Sequence, residues 1–479
     1  MGNSFKYAAA IFSAAAFLVM GGCSGRSDTT SANEVPIVVT VHDAPATGTS
    51  VLDFQIQITG IALQESTGSS KTVNLLANPV TVNLTSLQTQ SELLATTSAP
   101  AGTYSGMMIT FANPSATVYN SSGSSFTVGG TACAAGTSCL YTPKLNQSSA
   151  TITSSPFPLT LTKGSPLSLA IDFNVNNSLQ SDSTVTPSVT VTATTTPLAD
   201  GNLAEVSGVT GQVTKVGNNQ FTITDSNTGL SQTFNVGSNT QFGTFTNCTA
   251  SNFTCVKNGQ LVSVNVGVGA DGATLTASNV SAFNGFTQGV SGTVISKNAN
   301  GTFNMVVSGM SPTLNGVSVG QVVTVNPSAN ATFAISGGET APSGSTFGSI
   351  SDVIPGQGVF VDSTGVTAAT NGGFATLTAD QVQLTPTEFT GTVGSLSSPN
   401  FTVNALNGFD TSNGLATVQV STGTNTSFFN VTGNAFSGLN AGSTVNVGGF
   451  LFNSPNGPVF VGTQVGGVTT TASSGGGSM

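Results

Sequence analysis

The chain has 479 residues, only 5% of them charged, and a formal net charge of −10, where an ordinary soluble domain is about one quarter charged. One His, no Trp and four Tyr stand against 58 Gly, so the stock of general acids, bases and metal ligands is too small for most enzyme classes. Eight basic residues against eighteen acidic ones argue against a nucleic-acid partner, which needs basic side chains to neutralise phosphates.

Hydrophobic residues still make up 38%, enough to build cores, and at roughly 150 residues per domain the length allows about three domains. The first elements belong to export. Lys6 supplies a positive start and Ala8 to Met20 form an apolar run shorter than the roughly 20 residues a spanning helix needs, so residues 1–22 read as a signal peptide. The run closes on Met20-Gly21-Gly22-Cys23, which resembles the lipobox of bacterial lipoproteins, with Met20 where that family usually has Leu. The resemblance implies that Cys23 is acylated and becomes the new N-terminus. Palmitate-type chains would then hold the protein at a membrane. It also implies a place at the outer membrane or cell surface, with the periplasmic face as the other option. Residues 23–34 are polar and aperiodic, a flexible tether.

From residue 35 onward the pattern is strands and turns. Phe54, Ile56 and Ile58 alternate with Asp53, Gln55, Gln57 and Thr59, the period of a half-buried strand. Ile37, Val39 and Val41 repeat it, as do Leu167, Leu169 and Ile171. No later stretch carries a capped helical stripe, so the fold class is all-β. Residues 35–197 read as one sandwich. Four blocks stand in order: Asp43-Ala44-Pro45, Pro100-Ala101-Gly102-Thr103-Tyr104, Leu169-Ala170-Ile171-Asp172-Phe173 and Thr186-Pro187-Ser188-Val189-Thr190-Val191. Together they resemble a bacterial lipoprotein family known only as a domain of unknown function. The resemblance implies a transthyretin-like or immunoglobulin-like sandwich and brings no catalytic residue with it.

Within this segment His42 beside Asp43 invites a catalytic reading. Neighbours on a strand face opposite sides of the sheet, so the pair should not meet, and Asp43 is expected to cap the turn at Ala44-Pro45. Apart from Cys23, the cysteines fall into two close pairs, Cys133/Cys139 and Cys248/Cys255. Neither has the two-residue gap of a zinc knuckle. In an exported chain both pairs are expected to form disulfides that staple loops.

The remainder repeats itself. Gly208-Val209-Thr210-Gly211-Gln212-Val213 returns as Gly289-Val290-Ser291-Gly292-Thr293-Val294 and as Glu388-Phe389-Thr390-Gly391-Thr392-Val393. A mid-repeat signal follows in Asn239-Thr240-Gln241-Phe242, Asn330-Ala331-Thr332-Phe333 and Asn425-Thr426-Ser427-Phe428. A third signal begins at Gly259, Gly356 and Gly442. The copies span residues 205–285, 286–385 and 386–468, and a Gly/Ser-rich tail of residues 469–479 is expected to be disordered. A period this long lets each copy hold its own core, like successive beads, and a small OB-like β-barrel suits the strand count and hides the sheet edges. The pattern resembles a second uncharacterised family of lipoprotein β modules.

The acids are scattered singly, so no metal site is expected beyond, at most, one isolated calcium ion between modules. No cofactor is expected. Sugar platforms favour Trp and Tyr, and Tyr104, Tyr119 and Tyr141 are all that the first domain offers. The expectation is therefore a lipid-anchored, non-enzymatic envelope protein with a structural, spacer or adhesion-type role. Binding of a polysaccharide or another envelope component, through the loops of the first domain, is the alternative.

Overall fold

Alternating apolar residues in the first strands become two facing sheets. In the computed structural model the described residues are 33–468, except 44–49, 67–70, 89, 199, 227, 244, 246–247, 284–287, 312, 337–338 and 370–372. The signal peptide, Cys23, nearly all of the tether and the tail lie outside them. The strand Glu34–Asp43 runs parallel to Leu167–Phe173 and antiparallel to Glu92–Pro100, and Val189–Thr194 completes a four-stranded sheet. Opposite it, Val51–Glu65 and Gly102–Tyr119 form a long antiparallel ribbon at the centre of a seven-stranded sheet. Val39, Val41, Phe54, Ile56, Ile109, Leu169 and Phe173 meet between the layers, with the Phe111 ring edge-on to Phe173 at 5.7 Å.

The block from Pro100 to Tyr104 has a physical reason. Buried Tyr104 donates its hydroxyl to the Pro100 carbonyl at 2.8 Å, a contact of the tyrosine-corner kind that fixes the turn into a strand. Two short helices, Val175–Ser178 and Gly408–Ser412, are single turns that leave the all-β reading intact. Each begins at an Asn whose side chain accepts a backbone N–H, a cap that stabilises a single turn without a periodic stripe.

Three closed barrels follow. The strands of the first are Ala204–Gly217, Gln220–Asp225, Ser231–Phe242, Leu261–Val268 and Leu275–Ala282. The second uses Gly289–Lys297, Phe303–Ser311, Val322–Ile335, Gly358–Thr367 and Ala375–Thr385. Thr387–Ser397, Asn400–Ala405, Thr417–Phe429, Thr444–Phe452 and Val459–Gly467 form the third. In each, strands one, two, three, five and four neighbour one another in that order round the ring. Strands three and five pair in parallel, and the other pairs are antiparallel. This is an OB-like arrangement.

The repeated residues are the ones that bend these strands. Gly211, Gly292 and Gly391 lie where any Cβ would collide with the carbonyl of Thr224, Val306 or Asn404 on the second strand. The third strand shifts register at the mid-repeat signal in all three copies. Thr240 Oγ1 accepts the Gly237 N–H at 2.9 Å and donates to the Ala277 carbonyl at 2.6 Å. Thr426 makes the same stitch between Gly423 and Gly462, at 2.8 and 2.7 Å. The second copy has Ala331 at this position and keeps the bulge without the hydroxyl.

Both cysteine pairs are disulfides. Cys133–Cys139 joins two short strands, Thr131–Cys133 and Ser138–Tyr141, and Cys248–Cys255 closes the loop ahead of the fourth strand of the first barrel.

The picture of successive beads does not hold. Val38, on the outer face of the sandwich, and Leu93 are buried in the core of the first barrel. Asn83 donates to the Ser308 carbonyl of the second barrel at 3.0 Å, and Thr117 donates to that of Gly320 at 2.6 Å. Gln357 donates to the Leu451 carbonyl at 2.9 Å across the second and third barrels, where Phe450 and Phe452 join the second barrel's core. Ile295, Val306 and Val322 of the second barrel meet Phe409 of the third and Leu52 and Tyr119 of the sandwich. Asp53, expected on a solvated face, is fully buried because the second barrel covers it. Local periodicity reports which residues share a face, and docking of another body decides whether that face stays wet.

Candidate functional site

The first strand of each barrel carries a hydroxyl just before its repeated glycine: Thr210, Ser291 and Thr390. Packing of the barrels against the sandwich turns all three toward one space. A cavity of about 620 Å³ opens there, with all four bodies contributing to its wall. The barrels supply parts of their first, fourth and fifth strands, among them Ser263, Asn265, Ser281 and Gln464. The sandwich adds Thr85, Ser86, Leu87, Gln88, Gln90 and Glu92. Its volume falls within the range common for small-molecule sites, about 300–1,000 Å³.

Glu92, Glu339, Glu388 and Asp410 line this chamber, and the described wall holds no Lys, Arg or His. Glu92 is buried, Glu388 is half-buried and Glu339 is exposed. Asp410 is buried near Gly356 of the second barrel, and burial raises its carboxyl to about 6 against the opposing hydrogen bond from Asn407. Asn407 Nδ2 donates to Asp410 Oδ2 at 2.6 Å. Away from the chamber wall, Asp53 is raised to about 7 by burial, while hydrogen bonds from Gln55 and Asn83 pull the other way. Those bonds measure 2.9 and 2.6 Å. No group of three or more His, Cys, Asp or Glu among the described residues is placed to hold a metal ion.

Ser226 and Asn446 bring buried polar atoms close to the same wall. Asn446 is 1% exposed, and its Oδ1 accepts the Thr390 hydroxyl at 3.0 Å. Its Nδ2 has no hydrogen-bond partner among the described residues. Ser226 Oγ, on the chamber wall itself, is in the same position.

Residues 35–188, which hold the first three of the four blocks that carried the resemblance and the start of the fourth, match the model of DUF4382, a domain of unknown function. No curated protein matches the chain. Among solved structures, the chain is similar to the Drosophila protein described as Unr CSD456, at 10% identity and a TM-score of 0.14. That match covers 55% of this chain and 98% of the other.

Within the DUF4382 domain, His42 and Asp43 take separate paths. His42 Nδ1 lies 3.6 Å from Asp172 Oδ1 on the adjacent parallel strand, where the two residues are register partners at the edge of exposure. Asp43 is 1% exposed, and its Oδ1 accepts the Val175 N–H at 3.0 Å, at the first residue of a short helix. It therefore holds a distant element; the turn it was expected to cap, residues 44–49, lies outside those described. The tyrosines of the DUF4382 domain offer no platform. Tyr104 and Tyr141 are buried, and Tyr119 packs edge-on against Phe409 at 5.1 Å. The chamber residues went unread in the sequence, although a hydroxyl at the same place in three repeats was the available signal.

Proposed function

We propose that this chain is an exported, lipid-anchored protein of the bacterial cell envelope that acts by shape and binding rather than by catalysis. The observation that carries the reading is where the few ionisable groups go. Asp43 holds the start of a helix, Asp53 is buried beneath the second barrel, and His42 sits in a cross-strand pair on an open sheet. Groups held in this way shape the fold and are poor candidates for proton transfer, which needs an acid and a base around a common substrate. The close packing favours a rigid body on a short tether over an extended spacer. Of the two binding routes, the chamber favours capture of an envelope component over contact through the first domain's loops. The resemblance of the three barrels to lipoprotein β modules supports the same placement.

The anchor is tested by feeding cells a palmitate analogue and comparing the natural chain with Cys23→Ala. The natural chain is expected to take up the label and sediment with membranes, and the variant to do neither. Equal labelling of both would remove the anchor from this reading.

A further inference from the structure

We infer that the chamber between the four bodies binds a neutral, hydroxyl-rich ligand, a segment of envelope oligosaccharide. This rests on the proposal above that the protein works by binding in the envelope, and it names the site and the ligand class.

The chemistry of the wall differs from that of the other seams. Where the bodies touch elsewhere, a few hydrogen bonds such as Asn83 to Ser308 accompany apolar side chains that close the gap, as with Ile295, Val306 and Val322. A space that only separated domains would bury the same kind of surface, since apolar contact is what drives bodies together. Here the barrels present hydroxyls and amides instead, and the three repeats place Thr210, Ser291 and Thr390 on the same side of the same strand. Hydroxyls both donate and accept, and amides offer one group of each kind. That mixture matches a ligand whose own surface is made of hydroxyls. Ser226 Oγ, in the wall and without a hydrogen-bond partner among the described residues, adds a hydroxyl there, and a buried polar group without a partner is costly.

Charge narrows the class. With four carboxylates and no basic residue in the described wall, a phosphate, sulfate or uronate would meet repulsion and no counter-charge. A metal ion would need grouped carboxylates, and none are grouped among the described residues. Carboxylates accept strong hydrogen bonds from neutral hydroxyls, so Glu388 and Glu92 suit a sugar without requiring a cation.

The test uses the whole mature chain with Cys23→Ala, on an array of neutral, sulfated or uronic, and amino-sugar oligosaccharides, with every hit re-measured by calorimetry. At least one neutral oligosaccharide should bind. Its affinity should fall at least tenfold in Ser291→Ala/Thr390→Val and in Ser263→Trp, which fills the chamber, while Thr214→Val on the outside of the first barrel leaves it unchanged. Two different lesions keep the test informative should one of them unfold the chain. Absence of any neutral ligand, preference for anionic or amino sugars, or binding indifferent to both lesions would overturn the inference. Palmitate labelling is read separately, so a chain that is anchored yet binds nothing loses this inference alone.

Discussion

Gly320→Val should lower the stability of the chain by about 3 kcal/mol, from strain at a left-handed backbone and from overpacking, each worth about 1–3 kcal/mol. Gly320 has φ +81°, where a β-branched residue is strained. It also lies at the tip where the second barrel enters the sandwich. A Cβ there would stand 3.0 Å from Asp53 Oδ2, 3.1 Å from Leu140 Cδ1 and 3.2 Å from Thr117 Oγ1. Thr117 already donates to the Gly320 carbonyl at 2.6 Å, so the sandwich has little room to retreat. Gly344 is the control, because its φ is a matching +83° but a Cβ there meets nothing within 4 Å. Urea unfolding should show Gly320→Val losing about 2 kcal/mol more than Gly344→Val, the difference reporting overpacking at the seam. Equal losses would mean that the second barrel does not press on the sandwich.

The second large effect is a dependence on pH that comes from Asp53. Its carboxyl is wholly buried beneath the second barrel, and that burial raises it from 3.8 to about 7. The folded chain therefore keeps a proton that the unfolded chain releases near pH 4. Stability is highest on the acid side, falls as pH rises from about 4 towards 7, and levels off above that. The slope for one such group is at most about 1.4 kcal/mol per pH unit. Asp410, raised to about 6 by burial, acts in the same direction. Acids held low, such as Asp271 with its hydrogen bonds from Thr274 and Ala273, act below this window. Unfolding midpoints at pH 5 and pH 7.5 should fall with rising pH in the natural chain and fall less in Asp53→Asn, whose amide oxygen can still accept from Asn83. A natural chain as stable at pH 7.5 as at pH 5 would show that Asp53 ionises freely in the fold.

Local chemistry explains why parts of this architecture were legible in the sequence. The repeated glycines marked places where a strand must pass close to its neighbour, and Gly211, Gly292 and Gly391 do so. Spacing alone paired Cys133 with Cys139 and Cys248 with Cys255. Tyr104 stood next to the carbonyl it binds, so its block could be read as a unit. Failures arose where a residue's partner is far away in the chain. Asp43 holds the start of a helix at Val175, and Asp53 is buried by a barrel whose strands begin some 230 residues later. The chamber was invisible for the same reason. Thr210, Ser291 and Thr390 look like ordinary solvated strand positions until four bodies are folded around one point.

That enclosure is the central claim, and small-angle scattering from the soluble Cys23→Ala chain tests it most directly. A compact body of this size should have a radius of gyration of about 22 Å, slightly enlarged by the tether and tail, with a single maximum in its distance distribution. A radius above about 30 Å with separate maxima, as expected of modules spaced along a chain with few contacts between them, would contradict it.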